Sequence, residues 1–203
     1  HRDLHSFPTD ALPIFTKSLV HPYVPRFPRH VSYDLVLFGS WRRKGVYVGE
    51  KQIASPGSYP VAGFNFAPMY NLNYKLRFGV SLDGVYDGSA NVYTEDALVE
   101  YDAGSGSSRR KFLVPGIQNQ LALGLSGRAE YVMPFFTIGV GLGTNVLGRG
   151  DLRGLYQVFA LKINVTRSSF LHIGYNLQDF QTPNYLMLGL GFRFNNKYPK
   201  VRH

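Results

Sequence analysis

A chain of 203 residues fits one domain and leaves room for roughly eight membrane-crossing strands of about ten residues each with their turns. It contains no run of about twenty apolar residues, which excludes a transmembrane helix, and no cysteine, which excludes a disulfide scaffold, a thiolate metal site and a lipid-modified cysteine. The formal net charge of +9 is scattered, with Arg42-Arg43-Lys44 and Arg109-Arg110-Lys111 the only clusters, and this argues against a nucleic-acid footprint.

Residues 1–30 contain Pro8, Pro13, Pro22, Pro25 and Pro28. Prolines at this density forbid a regular strand or a long helix, so the segment reads as an extended arm. Ordering such an arm costs conformational entropy, and contact with the rest of the chain or with a protein partner is expected to offset it.

From Val31 onward the pattern has a period of two. The first strand, Val31–Trp41, sets Tyr33, Leu35, Leu37 and Trp41 on one face and Ser32, Asp34, Val36 and Ser40 on the other, with Phe38 out of place among the polar set. The second, about Tyr59–Tyr70, opposes Phe64, Phe66 and Tyr70 to Gly63, Asn65 and Ala67, and Asn71-Leu72-Asn73 makes a tight turn. In the third, Lys75–Asp87, Phe78, Val80, Leu82 and Tyr86 oppose Arg77, Gly79, Ser81 and Asp83. A polar loop over about 88–115 holds the flexible Gly104-Ser105-Gly106-Ser107-Ser108 run.

The fourth strand, Ile117–Val132, alternates Leu121, Leu123, Leu125 and Tyr131 with Gln120, Gly124, Ser126, Arg128 and Glu130. The fifth, Phe135–Thr144, alternates Phe136, Ile138, Val140 and Leu142 with Thr137, Gly139, Gly141 and Gly143. Its glycine run resembles a phosphate-binding loop only superficially, because no helix follows it. The sixth, about Leu155–Arg167, sets Phe159, Leu161, Ile163 and Val165 against Ala160, Lys162 and Asn164. The seventh, Phe170–Phe180, sets Leu171, Ile173 and Tyr175 against His172, Gly174, Asn176 and Gln178. The eighth, Tyr185–Phe194, is the cleanest, with Leu186, Leu188, Leu190, Phe192 and Phe194 on one face and Met187, Gly189, Gly191 and Arg193 on the other.

A wholly apolar face opposed to a face of glycines and charges fits a small membrane barrel, with apolar residues toward lipid and glycines in a cramped interior. Long and short connections alternate, as in an up-and-down barrel. Aromatics near strand ends (Trp41, Tyr70, Tyr86, Tyr131, Phe136, Tyr175) suit interfacial girdles. The expected fold is therefore all-β, an eight-stranded antiparallel transmembrane β-barrel. It comprises an arm at 1–30, a barrel at 31–195 and a basic tail at 196–203. A chain of this kind is expected to be exported and processed, and to sit in the bacterial outer membrane with both termini in the periplasm. A soluble lipocalin-type barrel would instead turn its apolar face inward.

The interior then holds Asp34, Arg77, Asp83, Arg128, Glu130, Lys162, His172 and Arg193, which are expected to pair as a buried ion network filling the lumen. No cofactor or metal site is expected. The FLHIGYNLQDF and TPNYLMLGLGFRF stretches, the Pro183-Asn184 loop and the eight-strand layout resemble the lipid A 3-O-deacylase (acyloxyacyl hydrolase) family, in particular its divergent Bacteroidetes-type members. The resemblance spans about Val31–Asn195. It implies ester hydrolysis by a His-x-Ser-Asn stretch on the penultimate strand with an acidic residue on the last, the serine attacking and the histidine taking its proton. His172 stands at the histidine position, but Gly174 stands where the serine belongs, and Tyr185–Phe194 contains no Asp or Glu. His172 also shares the inward face.

Two functions follow as expectations. One is a non-catalytic barrel acting as an accessory or structural subunit of an outer-membrane complex, in contact with lipopolysaccharide and other outer-membrane lipids and with a protein partner through the 1–30 arm. The other is a deacylase removing an ester-linked acyl chain of lipid A. A free-standing pore is disfavoured because eight strands leave little lumen.

Overall fold

The computed structural model describes residues 26–43, 45–48, 51–54, 57–93, 99–102, 107–110, 113–180 and 182–198. Residues 1–25 of the expected arm and 199–203 of the expected tail lie outside them. The described strands all belong to the compact unit Pro28–Tyr198.

Among the described residues twelve strands follow in order: β1 (His30–Arg42), β2 (Gly45–Val48), β3 (Lys51–Ala54), β4 (Tyr59–Asn71), β5 (Leu76–Asp87), β6 (Val99–Asp102), β7 (Ser107–Arg110), β8 (Leu121–Val132), β9 (Phe136–Leu147), β10 (Leu155–Asn164), β11 (Ser169–Gln178) and β12 (Thr182–Phe194). Eight of them close a barrel in the order β1-β12-β11-β10-β9-β8-β5-β4, with β1 pairing antiparallel to both β12 and β4. Closure leaves the barrel no free edge, so each of its eight strands is paired on both sides, which a lipid environment demands.

Burial follows the two-residue period. Along β1, Ser32, Asp34, Val36, Phe38 and Ser40 are buried while Val31, Tyr33 and Leu37 are exposed, and β12 buries Met187 and Arg193 while exposing Leu188 and Leu190. The apolar face is the outside, as a membrane barrel requires and a lipocalin-type barrel forbids.

At one end the connections are tight turns. Asn73 Oδ1 accepts from the backbone N–H groups of Lys75 and Leu76, both at 2.8 Å, between β4 and β5. Thr166 Oγ1 accepts from those of Ser168 (3.2 Å) and Ser169 (3.0 Å) between β10 and β11. The opposite end carries the long loops. There Asn91, at φ 55°, and Asp151 bond reciprocally, each backbone N–H donating to the other's side chain at 3.1 Å. Asn91 Nδ2 also donates to the carbonyls of Asn119 and Arg149. Beneath this clamp Ala90, Ala122 and Leu152 form a small apolar cluster.

Several boundaries differ from the sequence reading. Ile117–Asn119 is a 3-10 turn rather than strand, set off by Pro115-Gly116, and Val165–Ser168 belongs to a turn. Asp179 and Phe180, at φ 50° and 60°, end β11 two residues early. Strand β9 runs on to Leu147, and β12 starts at Thr182. The loops after β1 and β5 contain short hairpins, β2-β3 and β6-β7, which the sequence reading did not include. Phe38 is no misfit. It stacks on Tyr185 with ring centroids 6.2 Å apart, and with Val61, Tyr156, Val158, Ala160 and Met187 it forms an apolar layer inside the barrel.

Candidate functional site

The interior below that apolar layer, toward the tight turns, is charged. Strand β1 places Asp34 opposite Arg193 of β12 and Ala67 of β4, so its carboxylate enters the lumen where the strand's inward parity directs it. Asp34 accepts from Arg77, from Lys162 Nζ at 2.9 Å and from Arg193 Nε at 3.0 Å. Glu130, paired across β5-β8 with Arg77, reaches Arg77 Nε at 2.9 Å and Lys162 Nζ at 2.6 Å. Lys162 and Arg193 also lie over the Phe170 ring at 5.0 and 5.2 Å. The structure thus gathers Asp34, Arg77, Glu130, Lys162 and Arg193 into one cluster of three cations and two carboxylates, with Asp34 wholly buried.

Asp83 and Arg128 form a second group nearer the apolar layer. Asp83 Oδ1 accepts from Arg128 Nη2 (2.8 Å), Ser81 Oγ (2.5 Å) and Asn65 Nδ2 (2.7 Å), while Oδ2 accepts from Ser126 Oγ and Tyr156 OH, both at 2.6 Å. Such dense donation to a buried carboxylate offsets its desolvation. At the loop-end rim a third group joins Arg42 Nη1 to Asp87 Oδ2 at 3.0 Å and to Asn184. Asn65, Ser81, Ser126, Tyr156 and this rim group were absent from the sequence-predicted network. Parity placed Asn65, Ser81 and Ser126 inside, but pairing them with Asp83 requires the strand registers.

His172 sits between the first two groups. It is 2% exposed, and among the described residues neither ring nitrogen has a hydrogen-bond partner. A cavity of only about 10 Å³ borders it, lined also by Asp34, Arg128, Glu130 and Lys162. Gly174 faces the same way. A Cβ built there would come within 2.7 Å of His172 Nε2 and 2.6 Å of Met187 Cε. The outer face of the same wall presents Leu171, Ile173 and Tyr175 on β11 and Leu186, Leu188 and Leu190 on β12. Among the described residues no group of His, Asp and Glu is arranged to hold a metal ion.

A closed eight-strand barrel with an apolar outer wall and a charge-filled interior is an outer-membrane β-barrel. The chain matches the acyloxyacyl hydrolase C-terminal domain over residues 31–196 and belongs to that family. Among solved structures it is similar to Ail, the attachment invasion locus protein of Yersinia pestis, crystallised in complex with the heparin analogue sucrose octasulfate. That match has 15% identity and a TM-score of 0.42, and covers 83% of this chain and 100% of that one. It is also similar to Neisserial surface protein A, at 15% identity and a TM-score of 0.36, covering 83% of this chain and 99% of that one. No curated protein matches it.

Proposed function

We propose that the chain is a non-hydrolytic member of its family, an outer-membrane barrel serving as an accessory or structural subunit. The observation that carries this reading is the orientation of the wall where the family's nucleophile is expected. His172 and Gly174 both face the lumen, and the lipid-facing side of β11 and β12 is aliphatic and aromatic. An ester in the bilayer therefore meets neither a base nor a nucleophile there, and a serine restored at Gly174 would point into the filled interior.

The test is lipid A mass spectrometry on cells expressing the wild-type chain, cells expressing His172→Ala and cells lacking the gene. Identical spectra are expected. Loss of one acyl-chain mass that requires both the protein and His172 would overturn the reading and establish a lipid A 3-O-deacylase.

The barrel's ends at His30 and Phe194 lie with the tight turns, so both termini are assigned to the periplasm and the long loops to the cell exterior. Because the chain has no cysteine, the single replacement Ser58→Cys, just before β4 at the loop end, supplies a unique thiol for an impermeant maleimide. Labelling on intact cells is the expected result. The proline-rich 1–30 segment is assigned to a protein partner, and deletion of residues 1–25, which spares His30 at the start of β1, is expected to abolish co-purification without preventing barrel insertion.

A further inference from the structure

The outer wall is not uniform. Around the β5-β8 seam at the loop end, a hollow of about 480 Å³ lies among Ala62, Phe64, Gly84, Tyr86, Leu121 and Leu147, in the size range of ligand sites, roughly 300–1,000 Å³. It arises because small residues occupy outward positions on adjacent strands. Ala62 is paired with Tyr86, and Phe64 with Gly84. The Phe64 ring lies across Gly84 so closely that a Cβ there would come within 2.8 Å of Cζ. The far bank is raised by Leu121 and Leu147, 48% and 62% exposed, and the β8-β9 register shifts beside it between Leu123 and Gly124.

Two features identify what fills the hollow. The wall faces the bilayer, where the surrounding matter is acyl chain, and the lining is almost wholly apolar. Arg149, an exposed residue two positions beyond Leu147, donates from Nη1 to Asn119 Oδ1 at 3.4 Å, and Asn119 is two residues before Leu121, so its guanidinium is tied to the segments that lead into both leucines of the far bank. Guanidinium suits phosphate, with which it makes paired, charge-assisted hydrogen bonds.

We propose that this hollow binds one acyl chain of a membrane lipid with an anionic phosphate-monoester headgroup, whose phosphate Arg149 holds, in preference to a zwitterionic phosphodiester lipid. The site lies across the barrel from the β11-β12 seam, so it is separate from the wall where the family's triad is expected. It does not depend on whether the chain hydrolyses anything.

The full chain in non-ionic detergent is titrated with dimyristoyl phosphatidic acid or, in a separate arm, dimyristoyl phosphatidylcholine, and bound lipid is counted by native mass spectrometry. One tightly retained phosphatidic acid per barrel is expected. Ala62→Trp, which fills the hollow from an exposed position, should lower its occupancy about tenfold. Arg149→Gln should lower it about fivefold while leaving phosphatidylcholine unchanged. Leu188→Trp on the opposite wall should change neither.

Retention indifferent to Ala62→Trp, equal losses from Leu188→Trp, or unchanged headgroup preference in Arg149→Gln would each overturn the proposal. So would a dimer that Ala62→Trp abolishes, which would make the hollow a self-association face. If Ala62→Trp does not insert, photo-crosslinking of the wild type with a diazirine-bearing phosphatidic acid decides. Label confined to residues 62–64, 84–86, 121–123 and 147 supports the site, and label spread around the barrel refutes it.

Discussion

Replacing Asp34 with Asn is the most direct way to ask what holds the barrel's interior together. The change keeps shape and removes one charge from a group with no exposed surface. Arg77, Lys162 and Arg193 all lean on that carboxylate, and Glu130 reaches only Arg77 and Lys162 at 2.9 and 2.6 Å. Three buried cations would then face one carboxylate, and of Arg193's two bonds, Nε to Oδ1 at 3.0 Å and Nη2 to Oδ2 at 3.3 Å, at most one would survive, because the amide keeps a single acceptor oxygen. Breaking a buried ion pair by removing one partner costs about 3–5 kcal/mol, because the surviving charge stays desolvated. That is between two and four powers of ten in the unfolding equilibrium, at about 1.4 kcal/mol per tenfold. Urea unfolding in micelles can be followed through Trp41, the sole tryptophan, which is 77% exposed on the outer wall. Adding Lys162→Met to Asp34→Asn withdraws one surplus cation, so the pair should cost less than the sum of the singles by about 1 kcal/mol or more. An Asp34→Asn barrel within about 1 kcal/mol of wild type, or strict additivity of the two changes, would refute the view that these charges act as one cluster.

Three further outcomes follow from the packing. Gly189→Ala should destabilise the barrel by about 1–3 kcal/mol in the same urea assay, because a Cβ there would lie 2.8 Å from Phe38 Cα and against the Leu37 carbonyl, backbone that cannot swing aside. Phe38→Ala should cost about 3–5 kcal/mol by opening the apolar layer it shares with Tyr185 and Met187, and wild-type stability would show that layer to be loosely filled. The phenol of Tyr198, beyond the last strand, is pushed above the ordinary tyrosine range mainly by burial, against the pull of Arg77 and Arg193. A raised folded-state value means that its contribution to stability is complete below about pH 10 and lost as pH rises further. Stability should therefore fall more steeply above that pH in wild type than in Tyr198→Phe, and identical alkaline profiles would contradict the assignment.

Strand parity made the barrel legible because an eight-stranded membrane barrel has only two environments, lipid and a filled lumen, and residues alternate between them. Asp34, Arg77, Glu130, Lys162 and Arg193 could be placed inside by that rule alone. Their pairing could not, since it depends on register, and register lies in side-chain fit across strands far apart in sequence. The rule also misjudged Phe38, because it assigns the whole lumen one polarity. The interior in fact changes from charged to apolar along its axis, so a phenylalanine four residues after Asp34 on the same face belongs to a different layer. The hairpins β2-β3 and β6-β7 went unread for another reason: four-residue strands are too short to show a period.

The glycine run of β9 connects sequence, packing and function. Gly139-Val140-Gly141-Leu142-Gly143 has the look of a phosphate loop, yet each glycine stands where a long side chain crosses the lumen. A Cβ at Gly141 would lie 2.7 Å from Arg128 Cδ, one at Gly139 would lie 3.1 Å from Glu130 Cγ, and one at Gly143 would lie 2.6 Å from Tyr156 Cζ. The missing side chains are the space that the β8 charges and Tyr156 occupy. Among the described residues that filling leaves small cavities, two of them of about 10 and 30 Å³ and each too small for more than isolated waters. Around these glycines the interior is taken up by the protein's own side chains, as the narrow lumen of an eight-stranded barrel leads one to expect.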